Sequence, residues 1–312
     1  MSPIPIVLAG CGPVGRAYAE LVAERGLRHG LDLRVVAVRG RDRQREAGEW
    51  GPLTDLPELL ERTGARVFAQ AVPSDGDGRA AREALQALSS GAHVVTATKS
   101  HLLTHWDELE AAAGTAGRSV RISGATGAAM PAGDLARSVL RGFDVEEIAG
   151  CVNGTATFVL DRLADGADLA GAVAEAQRAG IAEADPGNDL SGGDAATKFR
   201  LLSALLWGWN PAETRAETEP ITGLPDVPAG HRLRQVARAA RDEPGVVRVA
   251  LTAEPETSAL GGLRGPEKAV RYDCGEAGQV TVSGGRSSPR GAALAMIKDT
   301  LGAVLEATTG FR

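Results

Sequence analysis

A continuous apolar run, Ile4–Ala9, leads directly into Gly10-Cys11-Gly12-Pro13-Val14-Gly15 and then into a helical stretch, Val14–Arg25. No other feature restricts the fold as much. A wholly apolar strand is one covered on both faces, as in a parallel sheet flanked by helices. In the turn, Gly10 permits the tight reversal and Gly12 lets a pyrophosphate approach the backbone. Gly15 lets the helix pack on the strand, while Pro13 and Val14 open a helix whose N–H groups face the phosphates. The spacing alone is weak in a chain with 40 glycines among 312 residues. Its position between strand and helix makes it a dinucleotide-binding signal.

Further short apolar runs at Leu31–Val38, Val67–Val72 and His93–Thr96 alternate with helical spacing at Pro57–Thr63 and Arg79–Ser89. Such alternation predicts an α/β fold with a Rossmann-type doubly wound parallel sheet. From about residue 118 the pattern changes. Strands are expected at Ser119–Ile122 and Glu147–Val152, and helices at Asp134–Arg141, Ala156–Ala164, Leu169–Ala179 and Asp194–Trp207. A helix is expected at Ala229–Ala240, followed by strands at Val246–Thr252, Ala269–Cys274 and Gln279–Ser283 and a closing helix, Gly291–Ala307. The run PAETRAETEPITGLPDVP reads as a proline-rich loop resembling a linker. The expected division is 1–125 with 290–312 as a dinucleotide-binding domain. Residues 126–289 then form an inserted α+β substrate-binding and dimerisation domain.

A net charge of −6 without a basic block argues against nucleic acid. No apolar run reaches the ~18 residues of a membrane span, and MSPIPIVLAG lacks the basic start of a signal peptide. Cys11, Cys151 and Cys274 are scattered, which excludes a disulfide framework and points to the cytoplasm. A small-molecule partner remains.

The second strand ends in Val38-Arg39-Gly40-Arg41, without the acid that holds a ribose 2′-hydroxyl. Arg39 and Arg41 suit a 2′-phosphate instead, so NADP(H) is the preferred cofactor. NAD(H) stays open because Asp42 follows. Val72, Pro73 and Lys99 complete the candidate cofactor set, since ligands of such sheets lie beyond the carboxyl ends of strands. Lysine is scarce, with four (Lys99, Lys198, Lys268, Lys298) among 34 basic residues. A retained lysine marks a place where a compact, titratable ammonium is wanted. The densest segment runs from Glu183 through Asp185 and Asp189 to Asp194 and Lys198. Asp194 falls at a helix start, and Lys198 lies one turn on along the same face. A capped helix with an ion pair explains that pair alone. Glu183 and Asp189, beside proline and glycine turns, add the features of a site for an amino-bearing ligand.

Together these residues resemble the homoserine dehydrogenase family. The likeness is carried by GCGPVG, by VTATK ending at Lys99 and by Asn153-Gly154-Thr155 in CVNGTATFVL. It continues through GIAEADPGNDLSGGDAATK ending at Lys198, and through LGGLRGPEKAV around Lys268. It implies reversible hydride transfer between NAD(P)H and aspartate 4-semialdehyde, giving L-homoserine on the way to threonine and methionine. It also implies Lys198 as proton donor, Lys99 as a second catalytic lysine, and Asp194 as the group that orients Lys198. Glu183 and Asp189 would bind the substrate ammonium, and Gly154 and Thr155 would line its pocket. A homodimer is implied as well, and a C-terminal regulatory extension is not expected. Several positions depart from the family. Its cation-holding glutamate is Ser123, which leaves the backbone carbonyls of Thr126, Ala128 and Met130 for any monovalent cation and the metal undetermined. A family asparagine is Thr98, and its last glycine pair and threonine are Ser288, Pro289 and Ala292. These changes motivate a second reading, an oxidoreductase of the same type acting on a related amino-acid aldehyde or alcohol. A catalytically silent nucleotide-binding sensor is the third.

Overall fold

The computed structural model describes residues 3–27, 31–74, 78–223, 225–285 and 287–305. They fall into two compact units, 1–129 with 288–312 and 130–287. The first contains β1 (Ile4–Ala9), α1 (Pro13–Arg25), β2 (Leu33–Arg39), β3 (Arg43–Glu46), β4 (Glu49–Pro52), α2 (Leu56–Thr63) and β5 (Val67–Gln70). It continues with α3 (Arg79–Ser89), β6 (His93–Thr96), α4 (Ser100–Thr104), α5 (Trp106–Ala116), β7 (Val120–Arg121) and α6 (Ser123–Thr126). The second contains α7 (Ala132–Asp134), a π-helical turn (Leu135–Val139), β8 (Glu147–Cys151), α8 (Gly154–Ala164), α9 (Leu169–Arg178), α10 (Gly187–Leu190) and α11 (Gly193–Trp207). Strands β9 (Arg215–Thr218), β10 (His231–Ala240), β11 (Val246–Pro255), β12 (Ala269–Asp273) and β13 (Gln279–Ser283) complete it. The last helix, α12 (Pro289–Leu305), returns to the first unit.

The first sheet has the order β4-β3-β2-β1-β5-β6-β7. Its strands β2, β1, β5, β6 and β7 run parallel, and β3 and β4 form an antiparallel hairpin at one edge. The chain steps to opposite sides of β1, so the crevice between β1 and β5 is the switch point at which such sheets bind ligands. Ile6, Val7, Leu8 and Ala9 are all buried, as expected of a central strand covered on both faces. On one face α1 and α12 pack together through Tyr18, Leu21, Val22, Ala293, Met296 and Val304. The Tyr18 and Thr300 hydroxyls satisfy one another at 2.6 Å inside that core.

The second sheet has the order β13-β12-β8-β10-β11-β9. One face carries Ile148, Val152, Ala237, Val249, Val270 and Tyr272 against Ala195, Phe199 and Leu202 of α11. The other carries Ala149, Cys151, Val236 and Ala269 against Leu260 and Leu263.

Here the structure corrects the sequence reading. The helix expected at Ala229–Ala240 is β10, antiparallel to both β8 and β11. Its arginines, glutamine and alanines favour a helix in isolation. Two ladders and two buried faces outweigh that preference, because strand stability is set by neighbours more than by composition. The linker-like run contains β9, an exposed edge strand parallel to β11, and it buries Ile221. The hairpin β3–β4 and the helices α4 and α5 had no counterpart in the reading. The helix expected at Asp134–Arg141 is split into α7 and the π-helical turn. The closing helix starts at Pro289, and its expected end, Ala307, lies outside the described residues.

The end of β2 is tied to α3 by charge. Buried Arg39 donates from Nη1 to Gln44 Oε1 (2.9 Å) and the Thr54 carbonyl (3.0 Å), and from Nη2 to Glu83 Oε1 (3.2 Å). Arg79 donates from Nε to the same Glu83 oxygen at 2.9 Å and from Nη1 and Nη2 to the carbonyls of Arg41 and Gly40. Glu83→Gln strands a buried guanidinium, so chemical denaturation should show a loss of about 3 kcal/mol. Arg39→Met with Glu83→Met, which removes both charges, should recover most of it.

Candidate active site

In the first unit Gly10 has φ +110°, and a Cβ there would collide with the Ala71 carbonyl oxygen. One on Gly15 would strike the Gly10 carbonyl. These contacts draw strand ends and helix together. Gly12, in contrast, faces open space just before α1, where Pro13 occupies the first turn and costs no hydrogen bond. A Cβ-free, solvent-facing backbone at a helix N-terminus fits a dinucleotide pyrophosphate. Val14 is half-buried behind it.

Beyond β5, Thr98 Oγ1 donates to the Val72 carbonyl (2.8 Å) and accepts from Val72 N–H (3.1 Å). Thr98, where the family has asparagine, thus braces Val72 against the exit of β6. Pro73 is exposed beside it, and half-buried Lys99 follows at the start of α4. Two residues on, His101 is buried with neither ring nitrogen hydrogen-bonded. Burial, helped by nearby His105, pushes its pKa down to about 4, so the ring is neutral at physiological pH. Of the two arginines expected at a 2′-phosphate, Arg41 is exposed. Arg39 is corrected: it is 5% exposed and turned inward onto Glu83, Gln44 and the Thr54 carbonyl. Its own buried acid, far along the sequence, gave no local signal.

In the second unit α11 carries Asp194 and Lys198 one turn apart, as their spacing predicts. Lys198 Nζ donates to Asp194 Oδ2 at 2.6 Å and to the Val152 carbonyl, just past β8, at 2.9 Å. Asn153 joins the third predicted residue to them. Its Nδ2 donates to Asp189 Oδ1 (2.6 Å) and Asp194 Oδ2 (3.0 Å), while its Oδ1 caps α8 by accepting from Ala156 N–H. Asn153 belongs to the Asn153-Gly154-Thr155 motif and is the N-cap of α8. Its position before a helix was the available cue. Gly154 opens α8 where a Cβ would lie 2.7 Å from the Pro266 carbonyl oxygen, so the loop before β12 packs directly on that helix start. Thr155 is buried and donates to the Ile181 carbonyl at 3.3 Å. Glu183 stands apart: its side chain is exposed, and its backbone carbonyl accepts from Gln177.

Sequence reasoning also left Lys268 unassigned, although lysine scarcity had marked it. It is 2% exposed, on the residue before β12. Burial pushes its pKa down to about 8; the charge of Lys198 adds to the shift and Asp194 opposes it.

The position aligned with the family's cation-holding acid is also occupied. Ser123 Oγ donates to Asp299 Oδ1 (2.8 Å) and accepts from Lys298 Nζ (2.7 Å), while Ser123 N–H donates to Asp299 Oδ2 (2.8 Å). An ammonium against that hydroxyl does not fit a metal cation held there. The Met130 carbonyl accepts from Ala132 N–H. Among the described residues no cluster of three or more His, Cys, Asp or Glu side chains could hold a metal, and no helix is long and apolar enough to cross a membrane.

Residues 131–301 match the homoserine dehydrogenase family, and residues 10–123 match the homoserine dehydrogenase NAD binding domain. Homoserine dehydrogenase of Corynebacterium glutamicum is 36% identical over 215 residues, covering 66% of this chain and 48% of that protein. The chain therefore spans about half the length of that relative. The NAD(+)-dependent homoserine dehydrogenase of Pseudomonas canavaninivorans is 28% identical over 343 residues, covering 96% of each. A hyperthermophilic archaeal homoserine dehydrogenase mutant, solved in complex with NADPH, is 25% identical with a TM-score of 0.86 over 100% of both chains.

The two turn glycines should separate experimentally. Gly10→Ala must push the Ala71 carbonyl away, so it should lower Tm and abolish stabilisation by added NADPH. Gly12→Ala meets nothing in the protein. It should leave Tm of the free protein within about 1 °C while weakening the NADPH-induced rise.

Proposed function

The chain belongs to the homoserine dehydrogenase family, and on that premise we propose that it interconverts aspartate 4-semialdehyde and L-homoserine with NADP(H) as preferred cofactor. The observation that carries the reading is the clamp on Lys198, whose ammonium is held by Asp194 and the Val152 carbonyl. Two of its three donors are engaged, which aims the third. The nicotinamide, when bound, supplies or accepts the hydride. Lys198 gives its proton to the aldehyde oxygen as negative charge develops there, and takes it back in the reverse direction. Asp194 orients the ammonium. Asp189, fixed by Asn153, binds the substrate ammonium, and exposed Glu183 supplies a second carboxylate for it. Gly154 and Thr155 form the wall of this pocket, and Lys99, at the carboxyl end of β6, adds a second ammonium on the cofactor unit.

The cofactor preference rests on the end of β2. The strand itself ends without an acid, the nearest buried carboxylate, Glu83, is bound by two arginines, and Arg41 faces solvent with Asp42 next to it. A 2′-phosphate suits that environment better than a bare ribose. Arg41→Ala should therefore weaken NADPH binding about tenfold, or ~1.4 kcal/mol, and leave NADH binding unchanged in a direct titration.

The activity is tested by following NADPH oxidation by the purified protein with aspartate semialdehyde beside a panel of related amino-acid aldehydes. Preference for another aldehyde would favour the second reading, motivated by Thr98 and Ser123. Lys198→Ala should cut kcat by ~10²–10⁴ with NADPH affinity nearly unchanged. Lys198→Arg should rescue poorly, because a guanidinium keeps its proton near neutral pH. Near-normal turnover in folded Lys198→Ala would leave 194–198 as a capped helix with an ion pair.

A further inference from the structure

We infer that the Lys298 ammonium, tethered to Asp299 and Ser123, stands in the place of a bound monovalent cation, which makes Lys298 a positioning residue that docks α6 at the exit of β6. Asp299 is the origin of the arrangement. Its side chain is 1% exposed on α12, and a buried carboxylate must be paired and hydrogen-bonded. Ser123, 176 residues earlier at the start of α6, donates to it twice, from N–H to Oδ2 (2.8 Å) and from Oγ to Oδ1 (2.8 Å). Lys298 Nζ supplies the charge, 2.9 Å from Asp299 Oδ1 and 2.7 Å from Ser123 Oγ. Ammonium, hydroxyl and carboxylate oxygen thus close a triangle. A lysine suits that space between two oxygens, because its compact point charge fits where a planar guanidinium fork does not.

What the triangle holds is the approach to Lys99. Gly124, the next residue of α6, sits where a Cβ would lie 3.0 Å from Ala97 Cβ and 3.3 Å from Met296 Cγ. Ala97 follows β6 and precedes Lys99 by two residues. Met296 lies on α12 three residues before Asp299, on the same face. Helix α6 is therefore packed between the β6 exit and α12, and the triangle fixes its first residue. The Ser123 carbonyl accepts from Gly127 N–H (3.2 Å) and Ala128 N–H (3.1 Å), so the turn after α6 hangs on the same residue. Position 123 is where the family's cation-holding acid aligns. Here the acid comes from α12 and the cation is attached to the chain. A second cation at these oxygens would meet the ammonium at close range and be repelled. The consequence for turnover rests on the proposed role of Lys99, and the consequence for the fold does not.

The test compares thermal unfolding in the chlorides of sodium, potassium and N-methyl-D-glucamine at equal ionic strength, the last cation being too bulky to enter. The unmodified protein should give the same Tm, within about 1 °C, in all three. Lys298→Ala removes the ammonium and leaves room for an ion. Its Tm should fall by about 3 °C or more in N-methyl-D-glucamine chloride, and sodium, potassium or ammonium chloride should restore about half of the loss or more. Lys298→Ala with Asp299→Asn also removes the anion that attracts the ion, so the restoration should vanish. Turnover with NADPH should become dependent on small cations in Lys298→Ala and stay independent of them in the unmodified protein. A Tm of the unmodified protein that rises in sodium or potassium alone overturns the inference. So does Lys298→Ala with no loss, or with a loss that no small cation repairs, and so does restoration that persists without the Asp299 charge. Should the variants not fold, the unmodified protein decides. The unfolding comparison needs no substrate. The expected salt behaviour in a protein inactive on aspartate semialdehyde would refute the proposed function alone, and alkali-dependent stability in an active one would refute this inference alone.

Discussion

A desolvated ammonium must find acceptors for its N–H groups, and at Lys198 that demand organises the second unit. Its acceptors come from two places, Asp194 on its own helix and the Val152 carbonyl just past β8, 46 residues earlier in the chain. Satisfying both docks the N-terminal half of α11 against the end of the strand. Asn153 extends the arrangement. One amide caps α8 and at the same time holds two carboxylates, Asp189 and Asp194, close to each other. Two anions so placed repel, and the ammonium of Lys198 offsets that repulsion. Charge balance and helix capping are therefore parts of one structure.

The first unit reaches an equivalent definition through backbone rather than charge. Gly10 and Gly15 have neighbouring carbonyls where side chains would be, which brings β1, β5 and α1 within contact of one another. Thr98 performs with a hydroxyl what the strand ladder no longer does past Gln70 and Thr96: it satisfies both polar groups of Val72. At the opposite side of β1, Glu83 between Arg39 and Arg79 keeps the β2 end against α3. Buried pairs of this sort define geometry more than they add stability. At this strand end Arg41 is exposed, with exposed Asp42 beside it.

Local signals were legible where one short segment carried the whole cause. The glycine turn, the apolar β1, the alanine-rich face of α3 and the start of α11 all follow from spacing within a few turns of chain. The failures share one feature. Strand β10 reads as helix because its residues individually prefer helix, yet β8 and β11 lie on either side of it and both its faces are buried. Strand β9 has no apolar pattern because it is an exposed edge, paired on one side only. Arg39 looked like a solvent-facing cation because Glu83, 44 residues later, cannot be associated with it from the sequence.

The amino-acid sequence by itself determined the parallel sheet with its glycine turn between strand and helix, the scarcity of lysine, and the Asp194–Lys198 pair, since four residues are one helical turn whatever the surroundings. Tertiary structure decided what that pair meets. Asn153 reaches Asp194 across 41 residues, and sheet register sets buried Lys268 level with Val152, whose carbonyl accepts from Lys198. The physical reason is that helix geometry is contained in consecutive residues, whereas the register between strands is settled only when distant segments pack, and a shift of one residue would turn Lys268 to the other face of the sheet.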